Sequence, residues 1–171
     1  MALFLLANGP KQTTAAFVSV TTGTTIKTLL QFQPSASLNI KIVEWGISFD
    51  GSAAATPIKV ELIETDVAAT VTAFVQADIT QLDSDALAGG LNQTTNLIQV
   101  GTANSGYTAS AEGSIAASRN LDAPQLIAPT NQFIKQFPLG REPVVQAGKF
   151  ARIRVTAGAA VNAYCYMIVA V

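Results

Sequence analysis

Apolar and polar side chains alternate with period two along much of this chain, the pattern of strands that have one face covered. The clearest stretch is Gly140 to Val171, GREPVVQAGKFARIRVTAGAAVNAYCYMIVAV. It reads as two antiparallel strands joined by a Gly/Ala turn. In the first, Ala151, Ile153 and Val155 alternate with Arg152 and Arg154, giving one apolar and one charged face. In the second, Val161, Ala163, Cys165, Met167, Val169 and Val171 share a face. Asn162, Tyr164, Tyr166 and Ile168 occupy the other, so this strand suits cover on both sides. An apolar stretch left loose would be an aggregation hazard. The last strand is therefore expected at the centre of a sheet, with the rest of the chain wrapped around it.

The upstream pattern is also strand-like. Ala15 to Thr21 and Thr25 to Gln33 are β-branched and apolar, separated by Thr22-Gly23-Thr24. Leu38 to Asp50 begins with Leu38, Ile40 and Ile42 on one face, then switches parity after Glu44 to Trp45, Ile47 and Phe49. That switch predicts a β-bulge or bend, for which Gly46 is well placed, and Asp50-Gly51-Ser52 supplies turn chemistry. Ile58 to Glu64 alternates cleanly, Ile58, Val60 and Leu62 against Lys59 and Glu61. Ala69 to Leu82 predicts another strand, its alanines also compatible with a short helix. From Asp83 to Gln132 the chain is rich in small polar residues, with short strands expected at Leu97 to Gly101 and Tyr107 to Ala111. Gln132 to Phe137 and Glu142 to Val145 then return to strand patterning.

Short strands punctuated by Gly, Pro and Ser predict an all-β protein: an antiparallel β-sandwich, jelly-roll-like, with a long irregular excursion around residues 83–132. Residues 1–12 are expected to form an N-terminal arm or edge strand, and 13–171 a single sandwich domain. The apolar run Ala2 to Ala7 is shorter than a signal-peptide core, follows no basic residue and cannot span a bilayer.

Composition sharpens this picture. Hydrophobic residues make up 49% of the 171 residues and charged residues 12%, about half the usual charged share. So little charge suits either a stable, weakly charged β domain or a subunit that hides surface in an assembly. The net charge is −1 and the densest basic feature is the pair Arg152 and Arg154, which argues against a nucleic-acid partner. With no histidine in the chain, imidazole acid–base chemistry, Ser–His or Cys–His nucleophiles and histidine-ligated metals are excluded. The single cysteine, Cys165, reads as a core residue.

The remaining candidates for chemistry are sparse. Carboxylates that could act as the pair of a hydrolase or lyase are Glu61 with Glu64, which straddle a strand end, and Asp78, Asp83 and Asp85, which cluster loosely. Asp83-Ser84-Asp85 has oxygen ligands for calcium but neither the glycine nor the closing glutamate of a known loop. Gly101 to Gly106 lacks the lysine of a phosphate loop, and Asn92-Gln93-Thr94 matches a glycosylation sequon. Trp45, flanked by Val43 and Ile47, reads as core. No cofactor and no enzymatic activity are expected.

Arg141-Glu142-Pro143-Val144-Val145, then Ala147 to Val155, then Asn162 to Tyr166 resemble the ends of small β-rich proteins encoded among tailed-bacteriophage structural genes. Val43 to Gly51 followed by Pro57 to Leu62 is similar to their N-terminal halves. Such proteins are commonly head decoration, or cement, proteins. The resemblance implies a jelly-roll subunit that forms a homotrimer on the outer surface of a virion and clamps adjacent copies of the major capsid protein. It implies Leu3, Phe4, Leu5 and Leu6 as a docking arm, and Arg152 and Arg154 as intersubunit partners for carboxylates. The alternative is a trimeric jelly-roll spike or fibre module that binds a receptor or glycan.

Overall fold

The computed structural model describes residues 2–14, 16–50, 57–83, 97–126 and 132–171. In chain order the strands are β1 (Leu3–Ala7), β2 (Val20–Thr21), β3 (Lys27–Pro34), β4 (Ile40–Asp50), β5 (Ile58–Thr65), β6 (Thr70–Ala73) and β7 (Thr80–Gln81). They continue with β8 (Ile98–Gln99), β9 (Gly106–Ala111), β10 (Ser118–Asp122), β11 (Gln125–Leu126), β12 (Gln132–Gln136), β13 (Val144–Val145), β14 (Phe150–Thr156) and β15 (Asn162–Ala170). One sheet runs β12-β4-β15-β1-β7 and the other β10-β5-β14-β3-β9-β6. All strand pairings are antiparallel, and the two sheets pack face to face as an all-β sandwich.

The order of the long strands is that of a jelly roll. β1 pairs with β15, β3 with β14, β4 with β12 and β5 with β10. These are the rungs of one long hairpin. It is rolled up by the further pairings of β15 with β4 and β14 with β5. The chain between β5 and β10 is an insertion at the hairpin tip. Its strands go to one lateral side of the sandwich, where β7 covers β1 and β9 covers β3. β12 and β10 remain the edges on the opposite side.

Alternation explains the core. Phe4, Leu6, Ile40, Ile42, Trp45, Ile47, Cys165, Met167 and Val169 from one sheet meet Leu30, Phe32, Ile58, Val60, Leu62, Ile153 and Val155 from the other, all at most 1% exposed. Each side chain of this size contributes roughly 1.5–3 kcal/mol by leaving water. β15 lies between β4 and β1, the central position expected, but only one of its faces is in the core; Asn162 is exposed and Tyr164, Tyr166 and Ile168 are half-buried on the other.

Several sequence expectations change. The last two strands do not form a hairpin: β14 belongs to one sheet and β15 to the other. Each has an inward apolar face and needs two backbone neighbours, so the Ala157–Val161 link crosses the sandwich. In the Ala15 to Thr21 stretch, the described strand is only Val20–Thr21. β1 already occupies β15 from Tyr166 to Ala170, leaving Asn162 and Ala163 for β2. Between them Asn8 fills the ladder with its side chain, donating to the Ala163 carbonyl at 3.0 Å and accepting from the Cys165 N–H at 2.9 Å.

The predicted bulge exists but sits elsewhere. Ile168 lies opposite Glu44 and Val169 opposite Ile42, so Val43 is the extra residue. Ala69 to Leu82 divides into β6, a 3-10 turn (Gln76–Asp78) and β7, its two strands in different sheets. The described part of the 83–132 excursion is not irregular, because residues 97–126 contribute β8 to β11 to the second sheet and its margin. Asp50-Gly51-Ser52 runs beyond the described residues after Asp50.

Candidate interaction surface

β1, β15, β4 and β12 present their second set of side chains on the outer face of the first sheet. The strand registers fix which residues are neighbours. Ile134, Gly46, Tyr166 and Ala7 form one row across the sheet. Gln136, Glu44, Ile168 and Leu5 form the next, and Gln132, Ser48 and Tyr164 lie on the other side. Across these rows Glu44 is the only charged residue that the strands place there.

Gly46 has a packing role on this face. A Cβ there would lie 2.6 Å from the Tyr166 ring, so the glycine provides the floor on which that ring lies. The Tyr166 hydroxyl donates to Glu44 Oε1 at 2.6 Å. Burial, reinforced by the Glu44 hydrogen bond and charge, pushes the Tyr166 phenol far above its usual range. Glu44 thus has a neutral partner, and the flanking rows of this face add exposed Asp50, opposite Asn162, and exposed Lys41, opposite Ala170.

Tyr164 extends the aromatic surface, 6.0 Å from Tyr166 between centroids. Phe17, from the segment before β2, meets Tyr164 edge-on at 4.7 Å. It folds over Gly9, where a Cβ would stand 3.0 Å from the ring. Beside it an open cleft of about 380 Å³ is lined by Pro10, Lys11, Gln12, Thr13, Ala16, Phe17 and Val18. Val18 is 78% exposed. The period-two pattern signalled Tyr164 and Tyr166, but nothing in the sequence placed Phe17 against them.

The residues singled out from sequence fall into two groups. Leu3 and Leu5 lie half-buried toward the outer face, whereas Phe4 and Leu6 are buried in the core. The four residues are an integral strand, hydrogen-bonded to β15 on one side and to β7 on the other. Arg152 and Arg154 find their carboxylates within the chain. Arg154 Nε lies 2.8 Å from Glu61 Oε2. Arg152 is 0% exposed and donates to the Glu112 carbonyl at 3.0 Å, to its Oε2 at 3.4 Å and to the Val67 carbonyl. Burial lowers the Arg152 pKa, and the charge of Glu112 opposes that shift.

The candidate acids are similarly engaged. Glu64 holds Arg119 through two hydrogen bonds of 3.0 and 2.8 Å and also accepts the Gln146 N–H. Asp78 accepts the N–H groups of Lys11 and Val75, and Asp83 that of Leu3. Ser84, Asp85 and the Asn92-Gln93-Thr94 sequon lie outside the described residues. Among the described residues no group of three or more Cys, Asp or Glu could hold a metal ion. Cys165 is fully buried, and burial pushes its thiol far above the usual range, away from reactive thiolate character. No described helix is long and apolar enough to cross a membrane.

Compared with family models, curated proteins and solved structures, the chain matches none of them.

Proposed function

We propose that this chain is a structural subunit of a virion, a capsid decoration or cement protein that binds the outside of an icosahedral phage head and bridges major capsid subunits. The observation that carries the reading is the outer face of the first sheet. Its centre presents Leu5, Tyr164, Tyr166, Ile168 and Ile134 around Glu44, whose carboxylate accepts the Tyr166 hydroxyl, with Asp50 and Lys41 at its margins. A face of this kind gains by leaving water, and aromatic side chains supply large contact area with few torsions to freeze. Repetition over a shell would multiply a modest affinity by avidity. The low charge of the whole chain and the resemblance carried by its C-terminal residues and by Val43 to Leu62 agree with this.

The aromatic surface beside the 10–18 cleft favours a second reading, a receptor- or glycan-binding spike module. Phe17, Tyr164, Gln12 and Lys11 there combine ring faces with polar groups.

Particles banded on a density gradient and quantified by mass spectrometry separate the two. The decoration reading expects the chain on DNA-filled heads in a fixed multiple of the major capsid protein, and heads that fail on heating once it is stripped. A few copies per particle favour the spike. Absence from particles overturns both.

A further inference from the structure

The two lateral sides of the sandwich differ. Insertion strands cover β1 and β3 on one side, whereas β12 pairs with β4 alone and has no other strand partner among the described residues. Phe137 N–H donates to the Val43 carbonyl at 2.9 Å. Backbone groups alternate in direction along a strand, so those of Phe133 and Lys135 also point to β4. Those of Gln132, Ile134 and Gln136 point away, to the free edge. Within Gln-Phe-Ile-Lys-Gln there is no proline and no break in register with β4, and the charge of its one lysine, Lys135, is met by Asp122. Ile134 is 52% exposed.

We infer that β12 is a strand-pairing site and that its occupant is β12 of a second copy of this chain, antiparallel across a two-fold axis at Ile134. The edge is complementary to itself in that register. Ile134 meets its own copy, and Gln132 meets Gln136 of the second copy in both directions. All three residues have outward backbone groups, so the pairing closes six hydrogen bonds. The charge pattern selects the same register. Lys135 stands opposite the Phe133 ring of the second copy, not opposite another lysine, and its own charge is balanced by Asp122 at 3.1 Å. The pairing also joins the two outer faces, because Ile134 begins the row that leads through Gly46 to Tyr166. It is isologous, and therefore distinct from the three-fold contact of the trimer that the resemblance implies. It does not depend on the capsid reading.

Sedimentation equilibrium of the full chain up to about 1 mM tests this. The expected result is a monomer–dimer equilibrium whose dissociation constant rises at least tenfold in Ile134→Pro. That substitution removes an N–H aimed at the edge and none that bonds to β4. Ile134→Lys, which places two cations face to face at the axis, should give the same loss without altering the backbone, and serves if the proline variant does not fold. Ile134→Thr should retain the dimer. A chain that stays monomeric throughout, or an assembly of any order that both disruptive variants leave intact, overturns the inference.

Discussion

Arg152 is the residue on which the second sheet's outer side depends. A buried guanidinium is tolerated only where its charge and most of its hydrogen bonds are met; here Glu112 and the Val67 carbonyl take up the two terminal nitrogens, and Nε alone is left without a partner. Glu112 does more than neutralise. Its two oxygens also accept the Thr28 N–H and hydroxyl, each at 2.6 Å. Glu112→Ala should therefore leave a buried cation and an unsatisfied backbone donor together. The expected cost is about 3 kcal/mol, the low end for a broken buried pair because Glu112 keeps 23% side-chain exposure. Urea unfolding checks it. The double variant Glu112→Ala/Arg152→Met should recover part of the loss, since it removes the stranded charge but not the need of Thr28. A single variant within 1 kcal/mol of the parent would show the pair to be dispensable.

At the scale of elements, what sequence reveals is the strand, and what it conceals is the partner. Ile58 to Glu64 and Gln132 to Phe137 were legible because one covered face dictates alternation. The central place of β15 was legible because so apolar a strand would be a hazard at an edge, although the sandwich covers only one of its faces and leaves Tyr164, Tyr166 and Ile168 half-buried on the other. Pairing across long separations leaves no such trace. Nothing in Ala151 to Val171 distinguishes a hairpin from two strands that cross between sheets, and the interaction face depends on Phe17, more than a hundred residues from Tyr164. The parity switch after Glu44 predicted a bulge, but Gly46 drew attention away from Val43 because glycine has two uses. Here its missing side chain makes room for Tyr166.

The crossing itself is testable. Gly158, Ala159 and Ala160 are exposed and span the sandwich between β14 and β15. Four residues inserted after Gly158 should cost under about 1 kcal/mol, because loop entropy grows slowly with length. Deleting Gly158 and Ala159 should prevent β14 and β15 from reaching opposite sheets, lowering the melting temperature or abolishing folding. A tight hairpin would show the reverse sensitivity, with insertion the more harmful change.

For the whole molecule, the groups with shifted pKa define a pH window. Cys165, Tyr164 and Tyr166 are all pushed upward, first by burial. The unfolded chain releases these protons near the ordinary values of 9.0 and 10.0, while the folded chain retains them. Stability from these groups is therefore complete below pH 9.0 and falls as the pH rises beyond it. Asp66 and Glu142 behave oppositely. Hydrogen bonds from backbone N–H groups lower their pKa values, so their contribution is present above the ordinary 3.8 and 4.5 and is lost as acid protonates them. Both residues are half-buried, the Glu142 side chain only 6% exposed. With no histidine to titrate between, denaturant midpoints should be flat from about pH 6 to 8 and decline above pH 9. Cys165→Ala should delay the onset of the alkaline decline toward pH 10. A slope near neutrality would contradict this account.

The nested hairpin also determines when the molecule can form. Neighbours of β4 in the first sheet, β12, β13 and β15, all follow it in sequence, and β1 must wait for β7 and β15. During synthesis the apolar strands β1 and β4 leave the ribosome long before the strand that will lie between them. The nascent chain therefore carries two unmatched halves of a sheet until translation has passed Ala170. The core of this sheet closes only once β15 has been made, and chaperones that shield extended apolar segments can act on β1 and β4 until then.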